Sequence, residues 1–144
     1  MKTFVTSKQV LNAATVATTG NSGTSGFDMP IGPAYMFVMD IAAGTGTSPT
    51  ADVAIQISPD DGTTWWTVSR WAQVTTAAVV SYKMVRNGLA VGEVGFVQAI
   101  ADTGGAVDKD FLMTRKARIL YTIGGTNPAF ATLKVWLLTQ QEGG

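Results

Sequence analysis

The side chains that could do chemistry in this chain are carboxylates, hydroxyls and aromatic rings, because its 144 residues include neither His nor Cys. The lack of Cys excludes disulfides, thiolate nucleophiles and Cys-ligated zinc, and the lack of His removes the commonest proton carrier near neutral pH. Ser and Thr are plentiful, but Lys83, Lys109 and Lys116 lie in no recognisable Ser-Lys motif, and no carboxylate pair has the setting of a glycosidase. The sequence therefore predicts a protein that is not an enzyme, with no catalytic residue and no cofactor.

Two short acidic runs resemble fragments of a calcium loop: Asp-Asp-Gly at 60–62 and Asp-Lys-Asp at 108–110. An EF-hand loop needs spaced acidic ligands and a closing Glu, and neither run has them. Pro59 presets φ and Gly62 accepts a positive φ, which is the composition of a tight turn. We therefore interpret the first run as a turn, and we predict no metal site.

Four tryptophans supply large aromatic surfaces. Trp65 and Trp66 are neighbours in a predicted strand, so their rings point to opposite faces. We expect one of them in the core and the other at the surface with Trp71 or Trp136. Aromatic rings are enriched at protein interfaces, which is the interpretation we favour. The alternative is a carbohydrate-binding platform, because aromatic faces stack on sugar rings.

The composition is neutral and poor in charge. Lys plus Arg and Asp plus Glu each number 10, and charged residues make up 14% of the chain, against about 25% in soluble domains. So few basic residues argue against nucleic-acid binding, and no apolar run reaches the ~18 residues of a membrane-spanning helix. The N-terminus has no apolar block of signal-peptide length, so we expect folding in the cytoplasm of the producing cell. A surface with so little charge is poorly protected against association, which predicts contact with neighbouring chains.

Apolar residues recur with a period of two, which is typical of β-strands. Residues 35–41 are apolar on both faces through Val38, which predicts a strand that is buried on both sides or lies at a subunit contact. Residues 52–58 alternate strictly, and the turn at 59–62 joins them to a return strand at 64–69. Further strands are predicted at 73–83, 94–100, 117–123 and 130–139, with a short helical turn within 106–116.

The loops Gly-Thr-Ser-Pro at 46–49 and Gly-Thr-Asn-Pro at 125–128 each follow a predicted strand, so each is expected to form the tip of a hairpin. Together the strands and turns predict an all-β fold, an antiparallel, jelly-roll-like β-sandwich of about 7–8 strands. We assign residues 34–144 to this β-sandwich domain and residues 1–33 to an N-terminal arm or an added strand.

One stretch of the chain resembles small virion proteins of tailed bacteriophages. Many of these proteins have a G-T-S-P loop, an alternating strand that ends in Q-x-S-x-D, and then G-T-T-W; here these are residues 46–49, 56–60 and 62–65. Residues 117–128 resemble their second hairpin, and the resemblance extends over residues 34–139. It implies a β-sandwich that binds capsid surfaces, often as a trimer, or another minor head or tail component.

The resulting hypothesis is a virion structural protein on the capsid surface, with a capsid decoration (cement) protein as the first choice. Its expected partners are the major capsid protein and further copies of itself in a homotrimer, with no nucleic acid and no membrane. The candidate interface residues are Phe4, Val5, Tyr35, Phe37, Trp66 and Trp71. A neck, tail or fibre-base component and a carbohydrate-binding module for host attachment stay open as alternatives.

Overall fold

The computed structural model describes residues 2–32, 34–86, 101–108 and 113–143. Within these ranges it contains nine strands and no helix, all in one antiparallel sheet that curls into a half-barrel. The strands are β1 (Lys2–Val16), β2 (Gly20–Asn21), β3 (Phe27–Asp28), β4 (Ala34–Ile41), β5 (Gly44–Ile57), β6 (Trp66–Arg70), β7 (Val79–Arg86), β8 (Val107–Asp108) and β9 (Lys116–Gly143). The predicted all-β, antiparallel class is confirmed.

The 28-residue strand β9 is the centre of the sheet, and other strands pair along both of its edges. On one edge β4 and then β5 pair with it in succession, so that together they run antiparallel to almost its whole length. On the other edge lie β1, β2 and β3. The N-terminal residues 2–28 therefore supply strands to the sheet of their own chain. Beyond the central strands, β7 pairs with β4, β6 with β5 and β8 with β6.

The two Gly-Thr-x-Pro segments are not hairpin tips, which corrects the sequence prediction. Both lie inside long strands and face each other, with Thr47 opposite Thr126 and a shift of the pairing register on either side. Gly46 (φ 99°) and Gly125 (φ 110°) adopt positive φ, which glycine accepts without a steric penalty. The extra residues thus form two facing β-bulges, one in β5 and one in β9. The predicted strands at 117–123 and 130–139 are therefore one continuous strand, β9.

The core lies on the inner face of the curled sheet. Burial alternates along β4, where residues 35, 37, 39 and 41 are buried and the residues between them are only half-buried. The same alternation in β9 buries residues 133, 135, 137 and 139. Val10, Leu11 and Val16 of β1 join this core, so the first strand contributes packing as well as hydrogen bonds. Because each strand buries alternate side chains, this period of two decides which residues remain outside.

The remaining strand predictions have mixed outcomes. The hairpin of residues 52–58 and 64–69 is confirmed as β5 and β6. The predicted strand at 73–83 is found only from residue 79 onward, as β7, with Val74 in an isolated bridge to Ala51. Residues 94–100 lie outside the described ranges. The short helical turn expected in 106–116 is absent from the described part of that segment, where β8 pairs with β6.

Candidate protein-binding surface

The half of the sheet formed by β1, β4, β7 and the end of β9 has an apolar outer face. Directly paired residues of an antiparallel ladder point to the same side of the sheet. One outer row joins Leu138, Met36 and Met84, and the next row joins Trp136, Val38 and Tyr82. With Val80, these residues form what we call the apolar outer face: Met36, Val38, Val80, Tyr82, Met84, Trp136 and Leu138.

The apolar outer face is open to solvent along β7. Val80, Tyr82 and Met84 are 70%, 69% and 68% exposed, and the other four members are half-buried. Single exposed apolar residues are ordinary, but a contiguous apolar patch on a soluble protein usually marks a contact with another molecule. The face therefore has the properties of a binding surface.

The apolar outer face ends at a pair of charged residues on one side and at a hollow on the other. Asp40 and Lys134 lie side by side at one end of it, paired across β4 and β9. At the other end is a hollow of about 150 Å³. The hollow is lined by Val5, Ala34, Tyr35, Met36, Met84, Leu138 and Gln140. An apolar centre with an acidic and a basic residue at its border resembles the core and rim of a protein interface.

The structure divides the candidate interface residues of the sequence analysis into two groups. Val5 and Trp66 are 64% and 48% exposed, whereas Tyr35, Phe37 and Trp71 are at most 3% exposed. The side chain of Phe4 lies outside the described set. The chain itself covers the three buried aromatics, so we revise the candidate set and place them in the core rather than on a contact surface.

The sequence analysis missed most of the apolar outer face. Its signal was present in residues 35–41, where apolar residues on both sides of the strand predicted a possible subunit contact. Which side would be covered by the chain depends on long-range pairing. The apolar alternation of Val80, Tyr82 and Met84 in β7 could have been found by the same period-two analysis, which does not decide whether this side faces solvent.

Packing explains why Tyr35 and Trp71 are internal. The Tyr35 hydroxyl donates a hydrogen bond to the Pro30 carbonyl at 2.8 Å, and burial raises the pKa of Tyr35. Trp71 follows β6 directly, and Lys83 Nζ from β7 lies 6.0 Å from the centroid of its ring. The first contact fixes Tyr35 to the segment before β4, and the second joins β7 to the residue that follows β6.

The tryptophans do not form a common exposed platform. The Trp65 ring has the guanidinium of Arg118 at 4.6 Å from its centroid, and its Nε1 donates to the Thr24 carbonyl. Burial lowers the pKa of Arg118, whose Nε donates to Gln56 Oε1 at 2.8 Å. Trp65 is half-buried and Trp66 exposed, so the expected pairing of one core and one surface tryptophan holds only for Trp66. A sugar site built on Trp66 with Trp71 has no support, because Trp71 is in the core.

The outer side of β5 and β6 is closed by polar groups, unlike the apolar outer face. All residues from 51 to 58 are buried. Arg70 Nε donates to the Gly105 carbonyl at 2.7 Å, and Thr67 Oγ1 donates to Asp102 Oδ1 at 2.5 Å. Asp52 accepts hydrogen bonds from Gln73 Nε2 and from the Gly104 amide. Residues 101–105 therefore lie against this half of the sheet and cover it.

The Asp-Asp-Gly run at 60–62 is a turn, as predicted. Asp60 accepts hydrogen bonds from the Thr64 amide and hydroxyl, both at 2.7 Å, and from the Ser58 hydroxyl. These bonds lower the pKa of Asp60, with the Thr64 hydroxyl as the largest cause. Asp61 forms a two-pronged ion pair with Arg115, which lowers the pKa of Asp61 in turn. Asp60 thus stabilises the turn itself, and Asp61 connects the turn to the start of β9.

Because of the lowered pKa values of Asp60 and Asp61, we expect the folded protein to lose stability in acid. Their pKa values are lowered in the folded state, so the unfolded state binds more protons and stability rises with pH. The stabilisation is present above the unfolded value of about 3.9 and is lost as pH falls through the lower folded values. We expect the thermal midpoint to fall between about pH 5 and pH 2, and to fall less in Asp60→Asn, as followed by circular dichroism. Parallel profiles for the two proteins would contradict the assignment.

Among the described residues, no group of three or more acidic, His or Cys side chains is placed to hold a metal ion. None of their segments forms a helix long and apolar enough to cross a membrane. Comparison of the chain with protein-family models, curated proteins and solved structures finds no match.

Proposed function

We propose that this chain is a structural protein of a bacteriophage virion, a decoration (cement) protein that binds the shell of major capsid protein. The observation that carries the proposal is the apolar outer face on a chain with only 14% charged residues. A patch of this kind is expected to be covered in a working assembly. The sequence resemblance to small virion proteins supports the choice of a capsid.

The proposed mechanism is adhesive rather than catalytic. Each copy clamps adjacent shell subunits by burying apolar and Thr-rich surface, and repeated copies add avidity without any new type of contact. The protein is made in the host cytoplasm and ends on the capsid surface. Self-association is part of the proposal, since linked copies engage several shell subunits together. Neither nucleic acid nor membrane is a proposed partner.

Trp66 is the proposed shell-contacting aromatic residue. It begins β6, next to the turn at 58–64, and it is the one tryptophan that the structure leaves strongly exposed. Tryptophans at the centre of interfaces often contribute more binding energy than their neighbours. Val5 is the second retained candidate, because it is exposed at the border of the hollow.

For the fold, we propose that the two halves of the curled sheet pack as the layers of a β-sandwich. Two contacts between the halves support this arrangement. Lys8 Nζ of β1 lies 6.0 Å from the Phe27 ring centroid, and Lys83 Nζ of β7 lies at the same distance from Trp71. The facing bulges at 46–49 and 125–128 supply the bend that such a corner needs.

Binding to empty capsids tests the proposed function. Purified protein is mixed with expanded capsids that lack it, and bound protein is measured by co-sedimentation and by the temperature at which the particles open. We expect saturable binding and a higher opening temperature. Trp66→Ala should weaken binding at least about tenfold, because truncation of an interface tryptophan commonly costs that much.

The matched control is Thr63→Ala, an exposed residue of the neighbouring turn without an aromatic surface. This variant should bind like the unmodified protein. Absence of saturable binding, or particles with unchanged heat resistance, would reject the cement function. If electron microscopy located copies only at the neck or tail, the protein would be a neck or tail component instead of a cement protein.

A further inference from the structure

In the described part of the chain, the first strand, β1, is attached to the sheet through β9 alone. We propose that residues 2–14 of one copy leave their own β9 and pair, in the same register, with β9 of a second copy of this chain. The second copy donates its own residues 2–14 in return. This inference goes beyond the proposed function, because it concerns contacts between copies and needs no capsid.

The contacts of β1 can be reproduced in full by a second copy. Removal of β1 breaks its ladder of hydrogen bonds to β9 and leaves the other pairings of the described strands in place. Among the side chains of residues 5–14, only Val10 and Leu11 are buried. The β9 edge of a second copy offers the same ladder and the same two core positions. Exchange of an identical element between copies therefore replaces each contact with an equivalent one.

The chain that follows β1 is fixed to its own copy, which limits the segment that can be exchanged. The Ile123 amide of β9 donates a hydrogen bond to Thr19 Oγ1 at 3.0 Å. Ser22 and Ile119 are joined by two hydrogen bonds of 2.9 Å, in which the Ser22 amide donates to the Ile119 carbonyl and the Ile119 amide donates to the Ser22 hydroxyl. Residues from Thr19 onward therefore stay with their own β9, and residues 15–18 form the hinge.

The hinge contains a strained residue. Thr15 adopts a φ of 52°, in the left-handed region, and this conformation is a genuine outlier for a β-branched side chain. When the hinge straightens between two copies, Thr15 is free to adopt an extended backbone, so exchange releases this strain. Short hinges under strain favour the exchange of elements between copies.

Val16 opposes the exchange, because it is buried in the single chain and an open hinge uncovers it. We therefore expect the closed chain to predominate in dilute solution. The exchanged form should increase with protein concentration, and most where copies are held close together.

Mixed cysteine variants test the exchange, because the chain has no cysteine of its own. Asn12 lies directly opposite Lys134 in the ladder of β1 and β9. Asn12→Cys, labelled with a heavy nitrogen isotope, and unlabelled Lys134→Cys are unfolded together in urea, refolded at high protein concentration and oxidised. Intact mass spectrometry should detect a disulfide-linked product with one labelled and one unlabelled chain. A double variant with both cysteines in one chain should form an internal disulfide at low concentration, which shows that the two positions can be bridged.

Two controls make the experiment specific. Tyr82→Cys takes the place of Lys134→Cys; Tyr82 is exposed but lies on β7, away from β1, so the mixed product should fall at least about tenfold. Thr15→Gly removes the strain of the closed hinge and should lower the yield of mixed disulfide between Asn12→Cys and Lys134→Cys at least about fivefold. Thr6→Gly, at an exposed position of the same strand without a positive φ, should not lower it.

Absence of a mixed product, an equal yield with Tyr82→Cys, or a yield that Thr15→Gly leaves unchanged would overturn the inference. Capsid binding by a protein that gives no mixed product would overturn the exchange and leave the cement function standing. A mixed product that responds to Thr15→Gly, from a protein that ignores capsids, would support the exchange and reject that function.

Discussion

Replacing Phe37 with alanine should lower the free energy of unfolding by about 3–5 kcal/mol, because the side chain is fully buried and its removal leaves a cavity. Phe37 lies in the middle of β4, between Leu137 of β9 and Lys83 of β7. Both neighbouring strands therefore lose packing when the ring is removed. Urea unfolding, followed by tryptophan fluorescence at low protein concentration, measures the change.

The matched control is Tyr82→Ala on the neighbouring strand β7. Tyr82 is 69% exposed on the apolar outer face, so its removal should change the free energy of unfolding by less than about 1 kcal/mol. Under the proposed function, the same variant should weaken binding to capsids, because it truncates the apolar outer face. If Phe37 were a contact aromatic, as the sequence analysis expected, its replacement would weaken association and leave unfolding unchanged. Comparison of the two variants thus distinguishes a core residue from a surface residue on adjacent strands.

Local alternation predicted β4 and the β5–β6 hairpin, because each depends on residues that are close in sequence. The period of two reveals that residues 35–41 form a strand, but both of its faces are apolar. The sequence therefore could not decide whether Phe37 or Val38 would be buried. That choice depends on which face of the sheet lies on the inside of the curl, which is a long-range property of the fold.

The candidate surface was harder to predict for the same reason. Aromatic residues were selected by type, and three of the six candidates proved to be buried by the chain itself. Trp71, for example, follows β6 and is covered in the core, although its type fits an interface equally well. Residue type identifies groups able to make a contact, whereas only pairing and curvature determine which of them face solvent.

Gly46→Ala and Gly125→Ala should each lower the free energy of unfolding by about 2–4 kcal/mol, because both positions combine a positive φ with close backbone packing. A methyl group on Gly46 would collide with the Asn127 carbonyl. A methyl group on Gly125 would lie 2.6 Å from the Ser48 carbonyl oxygen. Neither collision can be relieved by a side-chain rotation, because the contacted atoms belong to the facing backbone.

Two other glycines serve as control positions that separate the effect of the positive φ from the effect of close packing. Gly105→Ala has open space around the new methyl group and no positive φ, so it should change stability by less than about 0.5 kcal/mol. Gly23→Ala also meets no atom but keeps a φ of 140°, so it reports the cost of backbone conformation alone, about 1 kcal/mol. Losses at Gly46 and Gly125 no larger than at Gly23 would show that close packing of the facing bulges contributes nothing.

The double variant Gly46→Ala/Gly125→Ala tests whether the facing bulges act as one unit. Each glycine packs on the backbone of the opposite bulge, so distortion of one bulge already disturbs the site of the other. Substitutions at contacting positions are generally not additive. We therefore expect the double variant to lose at least about 0.5 kcal/mol less than the sum of the single losses, as measured by urea unfolding. Simple additivity would mean that the two bulges bend their strands independently, and that the corner of the sheet is not a cooperative element.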